Sequence, residues 1–213
     1  MSMIGYLGSI GQRQILAFRA NPDLISAYTK TAMQSAHDEM LASLPSDVRA
    51  QYQEQLERAR QDLAASMGQI YAAPDATVLE GLGPFQPMLK LGKDWHALHY
   101  LLGGHVDFEG SVGDSLLGGE PLGEGYGYGP DRLLSPSDTA AFSAFLAPLD
   151  AVHIIERFNL AEMTRVRVYS MPRFDHSDEL NVWITSLGAQ FKALKAYVDK
   201  ASGAGNAILL WIA

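Results

Sequence analysis

Cysteine is absent from the sequence. That excludes disulfides, thiolate metal sites, iron–sulfur clusters and a cysteine nucleophile. Charge is sparse: Asp, Glu, Lys and Arg make up 19% of residues, against roughly 25% in an average soluble protein. Long apolar runs are missing too. The strongest, Ala207 to Ala213, falls far short of the roughly 20 residues that a membrane-spanning helix needs. The opening Met1-Ser2-Met3-Ile4-Gly5-Tyr6 has neither the basic start nor the small-residue cleavage site of a signal peptide. A cytoplasmic protein with no membrane partner is the expectation. No G-x-S-x-G elbow and no Walker loop occurs, and Gly125-Tyr126-Gly127-Tyr128-Gly129 lacks the spacing of a dinucleotide turn. Nothing in the motifs calls for a cofactor.

What is present is a chain of 213 residues with 47% apolar types, enough for one well-buried domain spanning 1–213. Its net charge of −8 is concentrated in one place. Residues 101–150 hold eight acids (Asp107, Glu109, Asp114, Glu120, Glu124, Asp131, Asp138 and Asp150) against Arg132 alone. Ten of the 20 glycines fall between Gly103 and Gly129 in the same stretch. Glycine disfavours regular structure and unneutralised carboxylates repel one another, so residues 103–132 read as a solvent-facing acidic loop. Such a charge is the wrong sign for nucleic acid.

Periodicity supplies the coarse fold. Leu24, Ile25, Tyr28, Ala32, Ala36 and Met40 form one helical stripe; Val48, Tyr52, Leu56, Leu63, Met67 and Ile70 form another. Together they predict a helical hairpin over residues 23–71, with both stripes packed as core. Trp95 to Leu102 reads as a helix ended by Gly103-Gly104, and Ser135-Pro136-Ser137-Asp138 as a helix start. Leu180, Trp183, Ile184, Leu187, Phe191, Leu194 and Val198 mark a long final helix, followed by a buried strand over 206–212. Arg165-Val166-Arg167-Val168-Tyr169 alternates as a strand does. The expected class is α+β: a mostly helical single domain with a small sheet formed by the N-terminal, C-terminal and Val168-region strands.

Metal chemistry has one weak candidate. His96 and His99 are three residues apart on a predicted helix, with His105 or Asp107 nearby in sequence. Trp95, Leu98, His99 and Leu102 also make one apolar stripe, so His99 reads as a core histidine and His96 as a surface residue; no metal site is assigned.

Several short motifs together resemble the bacterial family of unknown function typified by YfbM. They are Met3-Ile4-Gly5-Tyr6, Trp95-x-x-Leu98-His99 with Leu101-Leu102-Gly103, Leu116-Leu117-Gly118-Gly119, Tyr169 ahead of Pro172, and Gly205-Asn206-Ala207-Ile208-Leu209-Leu210. They span both ends and the middle of the chain. Ser170-Met171 separate Tyr169 from Pro172, where the family pattern joins tyrosine directly to proline, and the 23–71 hairpin looks expanded. The resemblance implies a compact α+β fold of cytoplasmic bacterial type and no established reaction.

Two functions are compatible with these residues. The leading expectation is a non-enzymatic protein-binding module, immunity- or antitoxin-like, that engages a basic protein partner. Asp107, Glu109, Asp114, Glu120 and Glu124 would supply the field, Tyr126 and Tyr128 the anchors, and Arg132 an internal counter-charge. The rival is a small-molecule enzyme or sensor whose pocket lies between the Trp95–His99 helix and the glycine-rich loop. There His99 would be the acid/base and Tyr128 or Asp131 an orienting group.

Overall fold

The computed structural model describes residues 3–67, 79–84, 86–123, 129–171 and 177–212; side chains at 36, 37, 39, 40, 56, 57, 59–67 and 177 are outside that description. Five antiparallel strands lie in the order β2-β1-β5-β4-β3: β1 Gly5–Ile10, β2 Leu89–Gly92, β3 Glu120–Leu122, β4 Asp131–Leu134 and β5 Ala207–Ile212. The chain ends form the centre, with Gly5 opposite Ile212 and Ile10 opposite Ala207. Strand alternation divides the core in two. Leu7, Ile208, Leu210 and Leu134 face one side, with helices α4 (Trp95–Gly103), α5 (Pro136–Leu146), α6 (Ala151–Glu156), α7 (Leu160–Arg165) and α8 (Ser177–Gly203). Tyr6, Ile10, Leu209, Trp211 and Leu133 face the other, with α1 (Gln12–Ala20) and the first half of α2 (Asp23–Ser43).

The expected α+β class holds, and so do the two end strands. The third expected strand does not form. Val168 follows a helix end: Arg167 N–H donates to Thr164 O at 3.1 Å and Val168 N–H to Met163 O at 2.9 Å. This is a Schellman cap, and Arg167 takes the left-handed turn at φ 62°. The alternation of Arg165–Tyr169 therefore records a helix end with Val168 tucked into the core. The place of the missing strand is taken by β2 and by β3 and β4, of which β3 lies inside, and β4 at the end of, the stretch expected to be loop.

A second correction concerns α3 (Ser46–Met67). Val48 and Tyr52 were expected in the core, yet they are 43% and 40% exposed. The hairpin's described contribution to the core comes from Ile25, Tyr28, Ala32 and Leu41 of α2. Residues 68–71 of the predicted hairpin lie outside the described residues. Among the described residues, no helix is long and apolar enough to cross a membrane.

Candidate functional site

Ser111 opens a short 3-10 helix, Val112–Asp114, which stacks against the end of α4. Its approach is close enough to require glycine on both sides. A Cβ on Gly113 would sit 2.8 Å from the Leu102 carbonyl oxygen, and one on Gly103 would sit 2.3 Å from Asp114 Oδ1. Asp114 is thus completely buried, which corrects its expected place among the surface carboxylates. Its Oδ2 accepts from Ser111 N–H at 2.9 Å and from Glu109 N–H at 3.2 Å. Oδ1 lies 2.8 Å from His105 Nε2, a contact whose direction completes no hydrogen bond. Desolvation pushes the Asp114 pKa up, but the Ser111, His105 and Glu109 contacts outweigh it and leave the carboxyl below its ordinary value. The first half of the glycine-rich stretch is therefore a solvent-facing loop, exposed over 107–112, that is wound around one buried carboxylate.

The other expected field carboxylates scatter. Asp107 and Glu109 are exposed on this loop. Glu120 stands on β3 in an ion pair with Arg19. Glu124, Tyr126 and Tyr128 lie outside the described residues. Phe108, between Asp107 and Glu109, is 49% exposed; it was not singled out from the sequence, where a lone phenylalanine between acids carries no periodic signal.

His96 and His99 are both held by contacts within the fold. His96 is clamped at both ring nitrogens: Nδ1 accepts from Tyr169 N–H at 2.7 Å, and Nε2–H points at Val106 O at 2.9 Å. That fixes its tautomer, and its place is an internal brace, not the expected surface. His99 is fully buried, with a long 3.4 Å contact from Nε2 to Asp107 O. Burial, reinforced by neighbouring His96, lowers its pKa to about 4. Among the described residues, no group of three or more His, Asp or Glu is placed to hold a metal ion.

A recess of about 240 Å³ opens where β1 begins, β5 ends and β4 starts. Its wall includes Gly5, Leu91, Trp95, Asp107, Phe108, Leu116, Leu117, Arg132 and Leu210. It lies between the Trp95 helix and the glycine-rich segment, where the rival expectation put a pocket. Gly5 lets Trp95 pack against the start of β1: a Cβ there would come within 2.6 Å of Trp95 Cβ. Arg132 pairs across the sheet with Leu210 and so faces the recess side. Among the described residues its Nη1 reaches Gly119 O, at 3.4 Å, and no carboxylate forms an ion pair with it. The expected role of internal counter-charge is not filled by any of these groups. The Trp95 indole Nε1–H is buried without a hydrogen-bond partner among the described residues.

The chemistry assigned to that pocket from sequence is not assembled there. Neither His99 nor Asp131 lines the recess. Asp131 stands opposite Leu122, on the other face of the sheet, where burial raises its pKa to about 6.

Residues 1–211 match the sequence profile of a family described as a domain of unknown function, DUF1877. The chain belongs to this family. The crystal structure of YfbM from Escherichia coli, a protein of unknown function, is similar over 99% of both chains, with a TM-score of 0.55 and 18% identity. At that identity the likeness concerns the fold. A comparison with curated proteins returned no match. The motifs of the resemblance meet in space at the recess: Gly5 and Tyr6, Trp95, and Leu116-Leu117 all contribute to its wall.

Proposed function

We propose that this protein is a ligand-binding module that holds a small, mostly apolar molecule in the recess beside Trp95. One observation carries the reading. An apolar wall of Leu91, Leu116, Leu117 and Leu210 meets an arginine that no described carboxylate neutralises. Apolar pockets with a few convergent polar groups are the usual form of small-molecule sites. Binding is favoured over catalysis because no nucleophile and base stand together on the described wall. The test is a thermal-shift screen of small metabolites against the wild-type chain and a Leu117→Trp variant that fills the recess. A ligand at 100 times its Kd stabilises by about 2.7 kcal/mol, or roughly 5 °C or more for a chain of this size. Hits lost in Leu117→Trp support the reading. Hits that ignore the variant, or no hits at all, overturn it.

The acidic protein-contact reading keeps one specific support. Phe108 and Val112 are exposed apolar side chains on the same loop as Asp107 and Glu109, an anchor beside two carboxylates suited to a basic protein partner. Its mark is salt: association with such a partner weakens steeply as ionic strength rises and is lost in a Phe108→Ser, Asp107→Asn, Glu109→Gln variant. Complex formation indifferent to both removes this reading.

A further inference from the structure

Two opposite charges stand on the wall of the recess without neutralising each other. Arg132 comes from β4 and Asp107 from the loop after α4, and no ion pair joins them. Among the described residues the guanidinium's hydrogen bond is the 3.4 Å approach of Nη1 to Gly119 O, which leaves most of its planar N–H fork available. The same wall also carries Trp95, Leu116, Leu117 and Leu210.

A ligand with a single charge matches half of this wall. A simple carboxylate would suit Arg132 but meet Asp107 on the same wall. A simple amine would suit Asp107 and leave it beside the guanidinium. We infer that the recess takes a small zwitterion with an apolar body, the chemistry of a free apolar α-amino acid. Its carboxylate lies on the Arg132 fork, its ammonium against Asp107, and its side chain along Trp95 and Leu117. The space of about 240 Å³ lies below the roughly 300–1,000 Å³ of typical drug-sized sites, which suits a single amino acid better than a peptide. This inference rests on the reading of the recess as a ligand site. It also separates from the protein-contact reading, since a net-neutral ligand binds with little dependence on salt.

The test is calorimetric titration of the full chain with L-phenylalanine, L-leucine and L-methionine. 3-Phenylpropionate and 2-phenylethylamine serve as single-charge controls, and Arg132→Met and Asp107→Asn as variants. At least one amino acid is expected to bind the wild type, at least about tenfold tighter than either control, because each lost charge-assisted contact corresponds to tenfold or more. Arg132→Met should abolish the advantage over 2-phenylethylamine, and Asp107→Asn the advantage over 3-phenylpropionate. Controls that bind as well as the amino acids overturn the zwitterion and leave the recess a ligand site. The same holds if all five compounds fail while other metabolites bind and are blocked by Leu117→Trp. If nothing binds, the inference and the underlying reading fall together.

Discussion

Replacing Asp114 with alanine removes the group around which the loop of residues 105–114 is wound. Three contacts disappear: Ser111 N–H at 2.9 Å, Glu109 N–H at 3.2 Å and His105 Nε2 at 2.8 Å. A buried donor left without its acceptor costs about 1–3 kcal/mol. The loop lies near the surface, so water can reach part of what is freed, and the expected loss is about 2–4 kcal/mol. Urea denaturation of wild type and variant at pH 7 gives this number directly. Hydrogen exchange should place the damage, with protection lost over residues 104–119 before the sheet is affected. The pH dependence supplies an independent sign. The folded carboxyl titrates below its unfolded value near 3.9, so its stabilisation is present above about pH 4 and fades as pH falls further. The gap between wild type and Asp114→Ala should therefore be constant from pH 5 to 8 and close in stronger acid. A loss under about 0.5 kcal/mol, or unchanged exchange in 104–119, would refute the organising role of Asp114.

Other perturbations bear on separate parts of the structure. Gly103→Ala drives a methyl to within 2.3 Å of Asp114 Oδ1 and should destabilise by about 1–3 kcal/mol, read by thermal melting. Arg167→Gly relieves a left-handed residue at φ 62°, a conformation costing about 1–2 kcal/mol for an L side chain. After the entropy that glycine adds to the unfolded chain, a net gain of about 0.5–1 kcal/mol is expected in urea. His99 folds neutral with a pKa of about 4, so its contribution is complete above its unfolded value near 6.5 and is lost as pH falls through the folded value. Over that interval about 3 kcal/mol is at stake, and His99→Gln should show a visibly shallower acid slope than wild type. Asp131 has the opposite sign: its pKa is raised to about 6, so stability is lost as pH rises from about 4 to about 6. Asp131→Asn should gain about 1–2 kcal/mol at pH 7, and a loss there would contradict the burial assigned to it.

The legible parts of the fold were those set by long-range periodicity or local capping. The helix over 177–203 followed from its apolar spacing, and the one at Pro136 from Ser135, whose side chain accepts from Asp138 N–H at 3.2 Å. Strands β3 and β4 were not legible. They are three and four residues long, stand among acids and glycines, and acquire their register only by pairing, β4 with β5 and β3 with β4. Arg165–Tyr169 misled because two or three alternating residues look the same in a strand and across a helix cap. The α3 stripe misled differently: helical spacing identifies a common face without telling whether anything covers it, and Val48 and Tyr52 are exposed.

The same division runs through the site. Composition located the segment that borders the recess, and the Trp95 motif located the facing helix. Which acids remain at the surface depended on close backbone approach between Gly103 and Gly113, which draws Asp114 inward. The side of the sheet that Arg132 faces depended on its pairing with Leu210. Both are tertiary facts, invisible to charge counting.

The most direct test of ligand binding in the recess is the response of the three tryptophan indole N–H resonances in a nitrogen-labelled sample. Trp95 lines the recess and its Nε1–H is unpartnered among the described residues, whereas Trp183 Nε1–H donates to Asp94 at 3.1 Å away from it. Titration with a ligand from the thermal-shift screen should move the Trp95 resonance while leaving that of Trp183 in place, and Leu117→Trp should suppress the change. A ligand that binds and shifts Trp183 while leaving Trp95 still would contradict the assignment of the recess as the site.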